Sequence, residues 1–189
     1  MKLNLNTAIW PLLALMATTR IHHFGSETIL PDASLAVFFL AGLYVSNRAW
    51  LAGLLVVAGL LDYLAIDQFN VSDWCMSPAY VFLIPTYAIM WLAGRFCRTL
   101  AATGKREWVV FAALATVSAT VAFVISNASF FIFSDRYADM SVVDYSLAVV
   151  RHIPAYVGAA LAYALLGVAV IKAITVLWQV SDIQNHEQA

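Results

Sequence analysis

The sequence predicts an all-α integral membrane protein, a single domain over residues 1–189 with six transmembrane helices. Three observations carry this expectation. Of 189 residues, 63% are hydrophobic and only 11% charged, against roughly 45–50% apolar usage in soluble domains. Mean hydropathy is +0.83. The apolar residues also fall in runs near the length of about 20 that a spanning helix needs, separated by short clusters of charged and turn residues. Soluble enzyme folds are excluded on these grounds. The formal net charge of -1 supplies no basic field, and no nucleic-acid partner is expected; membrane lipid is the expected environment.

The first run, 7–21 within MKLNLNTAIWPLLALMATTR, has one Lys and the apolar core of a signal peptide. No small-x-small cleavage site follows it and further spans do, so it reads as a helix. The cluster HHFGSETILPDAS separates it from a second run at 33–46, with Pro31 and Asp32 as the start signal. That second run is short for a span. SNR forms a tight joint to the third run, 49–66; the fourth is 78–98, and AATGKRE joins it to the fifth, 107–133. The break SDRYADMSVVD precedes a sixth run at 147–178, long enough to tilt or to leave the bilayer at its end.

Lys and Arg in short loops resist translocation, so their distribution orients the helices. With six spans, one side holds Lys2, Arg48, Arg95, Arg98, Lys105, Arg106 and Lys172, and the other Arg20, Arg136 and Arg151. Both termini are therefore expected in the cytoplasm. The outer side collects Glu27, Asp32, Asp62, Asp67, Asp73, Asp135, Asp139 and Asp144, eight of the eleven acids, together with His22, His23 and His152.

Two cysteines occur, in WCMSPAY (Cys75) and in GRFCRTL (Cys97), without CxxC or zinc-site spacing. On this topology Cys75 lies near the outer face and Cys97 near the inner one. The separation is about 30 Å, whereas a disulfide needs Cα atoms within about 7 Å. Cys97 reads as a small packing residue. For Cys75 a free nucleophile is disfavoured, because Asp67 and Asp73 would raise its pKa. One cysteine with scattered histidines does not build a four-ligand site for a bare metal. A metal already caged in a macrocycle needs only one or two axial ligands, and there a single thiolate suffices.

Around Cys75 the outward helix ends carry most of the unusual residues. His22 and His23 close the first run, Asp62 and Tyr63 lie inside the third, Tyr80 begins the fourth, and Arg151 and His152 begin the sixth. Ionisable groups at membrane depth normally face a cavity or one another. Asp62, flanked by LLVVAGLL, is the strongest case, and a helix-tying pair with Arg151 is one reading compatible with binding. Trp74, Tyr80, Phe82, Phe130, Phe131, Phe133, Tyr137, Tyr145 and Tyr156 cluster toward the same side, as interfacial belts do without any ligand.

The segments TTRIHHFGS, LLDYLAID, WCMSPAYVFLIPTY and RHIPAY resemble, in order and spacing over the whole chain, the BtuM-type solitary cobalamin transporters. That family is related to the substrate-binding S-components of energy-coupling-factor (ECF) transporters, so the resemblance implies an ECF S-component-like six-helix fold. It also implies uptake of cobalamin or a cobinamide-like corrinoid across the bacterial inner membrane. By motif, Cys75 would be the axial ligand to cobalt, with His23, Asp62, Tyr80 and Arg151 shaping the pocket; His22 and His23 are adjacent and either could face it. Thiol-assisted decyanation through Cys75, a catalytic role, would accompany the family's chemistry. The first helix offers only Ala8, Ala14 and Ala17 in place of the small-residue docking motif of ECF S-components. That departure fits solitary members, for which no dedicated ATPase module is implied. Two further readings stand beside this one: a membrane thiol enzyme (an oxidoreductase or acyl transferase) with Cys75 as nucleophile, and a haem-binding subunit with His23 and His152 as axial ligands.

Overall fold

The computed structural model describes residues 9–20, 31–45, 47–69, 71–74, 76–100 and 104–187, the last with side chains to 173. Its helices, in order, are α1 (Ile9–Arg20), α2 (Ser34–Tyr44), α3 (Ala49–Phe69), a 3₁₀ turn (Pro78–Phe82), α4 (Leu83–Thr99), α5 (Lys105–Phe133), α6 (Val142–Val150) and α7 (Ile153–Glu187). The described residues form no strand. Among the described residues, four stretches are long and apolar enough to cross a membrane: Ala49–Phe69, Pro78–Thr99, Lys105–Phe133 and Ile153–Ala173. The chain is therefore a membrane protein.

The expected count of six spans is met only in part, and α2 shows why. Its 11 residues rise only about 16 Å at 1.5 Å each, half a hydrocarbon thickness. Residues Ser34 to Gly42 are all buried, so this segment is apolar because it is the centre of the bundle. Helices α4 and α7 pack on it, and α1 lies against α2 and α3. In a bilayer no hydrophobic force distinguishes a helix neighbour from lipid, so association depends on close packing through small residues. Gly42 and Gly94 meet that demand: a Cβ on Gly42 would overlap the Trp91 carbonyl, and one on Gly94 the Phe39 carbonyl. Beside this crossing Phe38 and Tyr87 stack at 4.4 Å with an interplanar angle of 6°.

Prolines mark the helix starts. Pro85 occupies the third helical position of α4 and Pro154 the second of α7, where the missing N–H costs nothing. Pro85 would clash with the Val81 carbonyl in a continuous α-helix, which accounts for the 3₁₀ turn over Pro78–Phe82. Pro154 acts likewise on Val150. The run expected at 147–178 is accordingly two helices, α6 and α7, meeting at Arg151 and His152. At the opposite end of the bundle Gly104 takes φ +62 before α5, a value natural to glycine. There Lys172 pairs with Glu107 at 2.9 Å and lies 4.6 Å over the Trp108 ring, joining α7 to α5.

Candidate functional site

The end of α1, the start of α2, the second half of α3, the 3₁₀ turn, the end of α5 and the start of α7 all gather at one end of the bundle. A cavity of about 510 Å³ opens there. Its polar wall consists of Arg20, Asp32, Asp62, Tyr80 and Tyr87, and its other wall of Ser126, Asn127, Phe130, His152 and Tyr156. Leu35, Ala79, Leu83, Ala155 and Ala159 supply the apolar surface between them.

Arg20 organises the polar wall. It is 3% exposed and its guanidinium meets Asp62 in a two-pronged pair, Nε to Oδ1 and Nη2 to Oδ2, both 2.7 Å. This bidentate geometry is the strong form of the arginine–carboxylate contact. Nη1 reaches Tyr87 Oη at 2.6 Å, Ser34 Oγ at 2.9 Å and Asp32 Oδ2 at 3.2 Å. Tyr80 Oη donates to Asp62 Oδ2 at 2.6 Å. Asp32 is held from α2, its Oδ1 accepting the Ser34 backbone N–H at 2.9 Å and the Ser34 hydroxyl at 2.6 Å. Thr19 Oγ1 accepts the Ala33 N–H at 3.2 Å, so both Thr19 and Arg20 tie the start of α2 to α1.

One guanidinium thus faces two carboxylates, and Asp62 takes the better share of it. Charges of this kind survive in an apolar bundle only when paired and hydrogen-bonded, and the whole network satisfies that condition across α1, α2, α3, the 3₁₀ turn and α4. The α5–α7 wall contributes no hydrogen bond to it. That wall is built from aromatic contacts instead: Phe123 against Tyr156 at 5.2 Å, Phe82 stacked on Phe133 at 4.9 Å and Phe131 against Tyr145 at 4.7 Å. Tyr145 Oη donates to the Asn127 carbonyl at 3.1 Å. Burial, with Tyr137 beside it, pushes the Tyr145 phenol above the usual tyrosine value, so it remains a donor.

Of the residues singled out in the sequence, Asp62 and Tyr80 come together in the cavity, bonded to each other. His23 and Cys75, with His22, lie outside the described residues. Arg151 takes another place: it caps α6, is exposed, and directs Nε to His152 Nε2 at 3.3 Å. The pairing of Asp62 with Arg151 is therefore corrected to Asp62 with Arg20. Helix α1 packs beside α3, whereas Arg151 stands at the α6–α7 corner. Tyr63, next to Asp62, points outward from the bundle and is 61% exposed. His152, by contrast, lines the cavity.

Arg20, Asp32, Ser34 and Tyr87 join the site without having been singled out for it. Arg20 and Asp32 count in the sequence as loop charges at an outer helix end. The signal that could have found them is the excess of ionisable groups beside apolar runs, each needing a partner. Among the described residues, no group of three or more His, Cys, Asp or Glu side chains is placed to hold a metal ion. Compared with models of known families and with curated proteins, the sequence matches none.

Proposed function

We propose that this protein binds a corrinoid at the outward face of the bacterial inner membrane and mediates its uptake, with both termini cytoplasmic and Cys75 as axial ligand to cobalt. The observation that carries the proposal is the cavity at one end of a membrane-spanning bundle, where Asp62 and Tyr80 meet in a buried charged network. Its volume lies within the 300–1,000 Å³ usual for small-molecule sites, so a larger macrocycle would lie across the mouth with only part of it enclosed. A corrin offers a flat apolar ring fringed with amides. The ring suits Phe130 and Tyr156, and the amides suit Asp32, Ser126 and Asn127. Cys75 stands three residues before the Pro78–Phe82 turn, which carries Ala79 and Tyr80 into the cavity wall. A thiolate is a soft ligand that a cationic metal centre deprotonates readily. Cobalt bound in this way would shed an upper cyanide more easily, which is the decyanation the family resemblance implies. ECF-module independence belongs to the same proposal.

The test is the visible spectrum of protein purified from cells grown with cyanocobalamin. Wild type should carry corrin absorbance, and Cys75→Ala should lose it or show shifted bands. Wild type without corrin absorbance refutes the proposal. His152 on the cavity wall supports one second reading, haem ligation, and a Soret band in the same spectrum would identify it.

A further inference from the structure

The nine residues of α6 lie outside the four spanning stretches, and their outward surface is unusually apolar. Val142, Val143, Leu147 and Val150 are 65%, 66%, 67% and 50% exposed. At about 100° per residue these four fall within an arc of about 140°. Asp144, the only charged residue of the helix, lies outside that arc. Ser146 falls within it, but its hydroxyl donates to the Val142 carbonyl at 2.7 Å and so needs no water. The opposite side is the protein side: Tyr145 is 6% exposed, wedged between Phe131 at 4.7 Å and Tyr137 at 4.8 Å.

We infer that α6 is an interfacial helix whose Val142, Val143, Leu147 and Val150 face is seated in the bilayer at the boundary of headgroups and acyl chains. Continuity argues for lipid as the occupant. Ile132 and Phe133, which end the spanning helix α5, are exposed as well, so the span that precedes α6 also ends in apolar surface, separated from it by the polar segment 134–141. At the other end α6 turns directly into spanning helix α7, the His152 N–H bonding the Val149 carbonyl at 2.9 Å and the Tyr156 N–H the His152 carbonyl at 3.0 Å. A helix with this surface sheds its apolar area into the headgroup and acyl boundary rather than into water. The charged N-terminal end is self-contained, Ser141 Oγ accepting the Asp144 N–H at 3.1 Å and donating to its carboxylate at 2.6 Å.

The seat bears on the cavity from both of its α5–α7 edges. Through Tyr145 the helix holds the Asn127 carbonyl, and through the corner at Arg151 it carries His152. Lipid under α6 therefore fixes the height of the cavity mouth above the membrane, whatever ligand enters.

The experiment uses the full chain in nanodiscs of phosphatidylcholine and phosphatidylglycerol. A photoreactive p-benzoylphenylalanine replaces Val143, Leu147 or Asp144 in turn, all exposed positions, with Leu92 on the outward face of α4 as the lipid-facing control. After irradiation, mass spectrometry should find lipid adducts at 143 and 147 several-fold above those at 144 and comparable with those at 92. Equal lipid adducts at 143, 144 and 147 overturn the inference. So do adducts to a second copy of the chain, or none at 147 while 92 reacts.

Discussion

Replacing Asp62 by leucine removes the acceptor of three hydrogen bonds at once: Arg20 Nε, Arg20 Nη2 and Tyr80 Oη. The guanidinium stays buried and keeps only Asp32 at 3.2 Å, with the hydroxyls of Ser34 and Tyr87. Breaking one side of a buried pair costs about 3–5 kcal/mol, because the remaining charge is desolvated without compensation. Since Asp32 still offers a carboxylate, the lower end, about 3 kcal/mol, is expected. For a chain of this size that is a fall in Tm of about 6–12 °C. Replacing both partners, Arg20→Met with Asp62→Leu, removes the stranded charge together with its acceptor. Such double replacements are commonly neutral or stabilising, so the pair should recover to within about 1 kcal/mol of wild type. The coupling energy of the cycle is then at least about 2 kcal/mol, as contacting residues in one network show. Thermal unfolding in nanodiscs, followed by the intrinsic fluorescence of the six tryptophans, measures all four corners. If Asp62→Leu alone is as stable as wild type, or if the double variant is no better than the single, Arg20 and Asp62 do not form the buried pair described and the site falls with them.

The crossing of α2 and α4 yields a second expectation. Gly94→Leu drives a side chain into the Phe39 carbonyl and Leu43 N–H, groups of backbone that cannot step aside, and no folded monomer should survive size-exclusion chromatography. Gly59→Leu on α3, where nothing lies within 4 Å, should elute as wild type. Alkaline pH yields a third. The raised Tyr145 value means that the folded state holds this proton more tightly than the unfolded chain does. Its contribution is complete below the unfolded value of about 10 and is lost as pH climbs through the folded value. Tyr145→Phe should therefore cost about 1 kcal/mol at pH 7, the worth of one hydrogen bond, and flatten the stability profile above pH 10 in a titration by circular dichroism.

Membrane character and helix content were legible in the sequence, because hydropathy and proline placement are local properties of the chain. Asp62 stood out for the same reason: a carboxylate inside GLLDYLAI must find a partner in any fold that spans a bilayer. The identity of that partner was not legible. Arg20 lies 42 residues away on α1, and the sequence treats it as a charge at a helix end, indistinguishable from Arg151. Only the packing of α1 against α3 decides between them. The same holds for α2, whose apolar run reads equally well as a short span or as a buried core helix. Burial on all sides is a property of its neighbours and leaves no separate mark in its own residues. The division of the last run into α6 and α7 lies between these cases. Pro154 marks the break locally, but the placing of α6, with Tyr145 inward against Phe131 and its valines outward, exists only once α5 and α7 are in position.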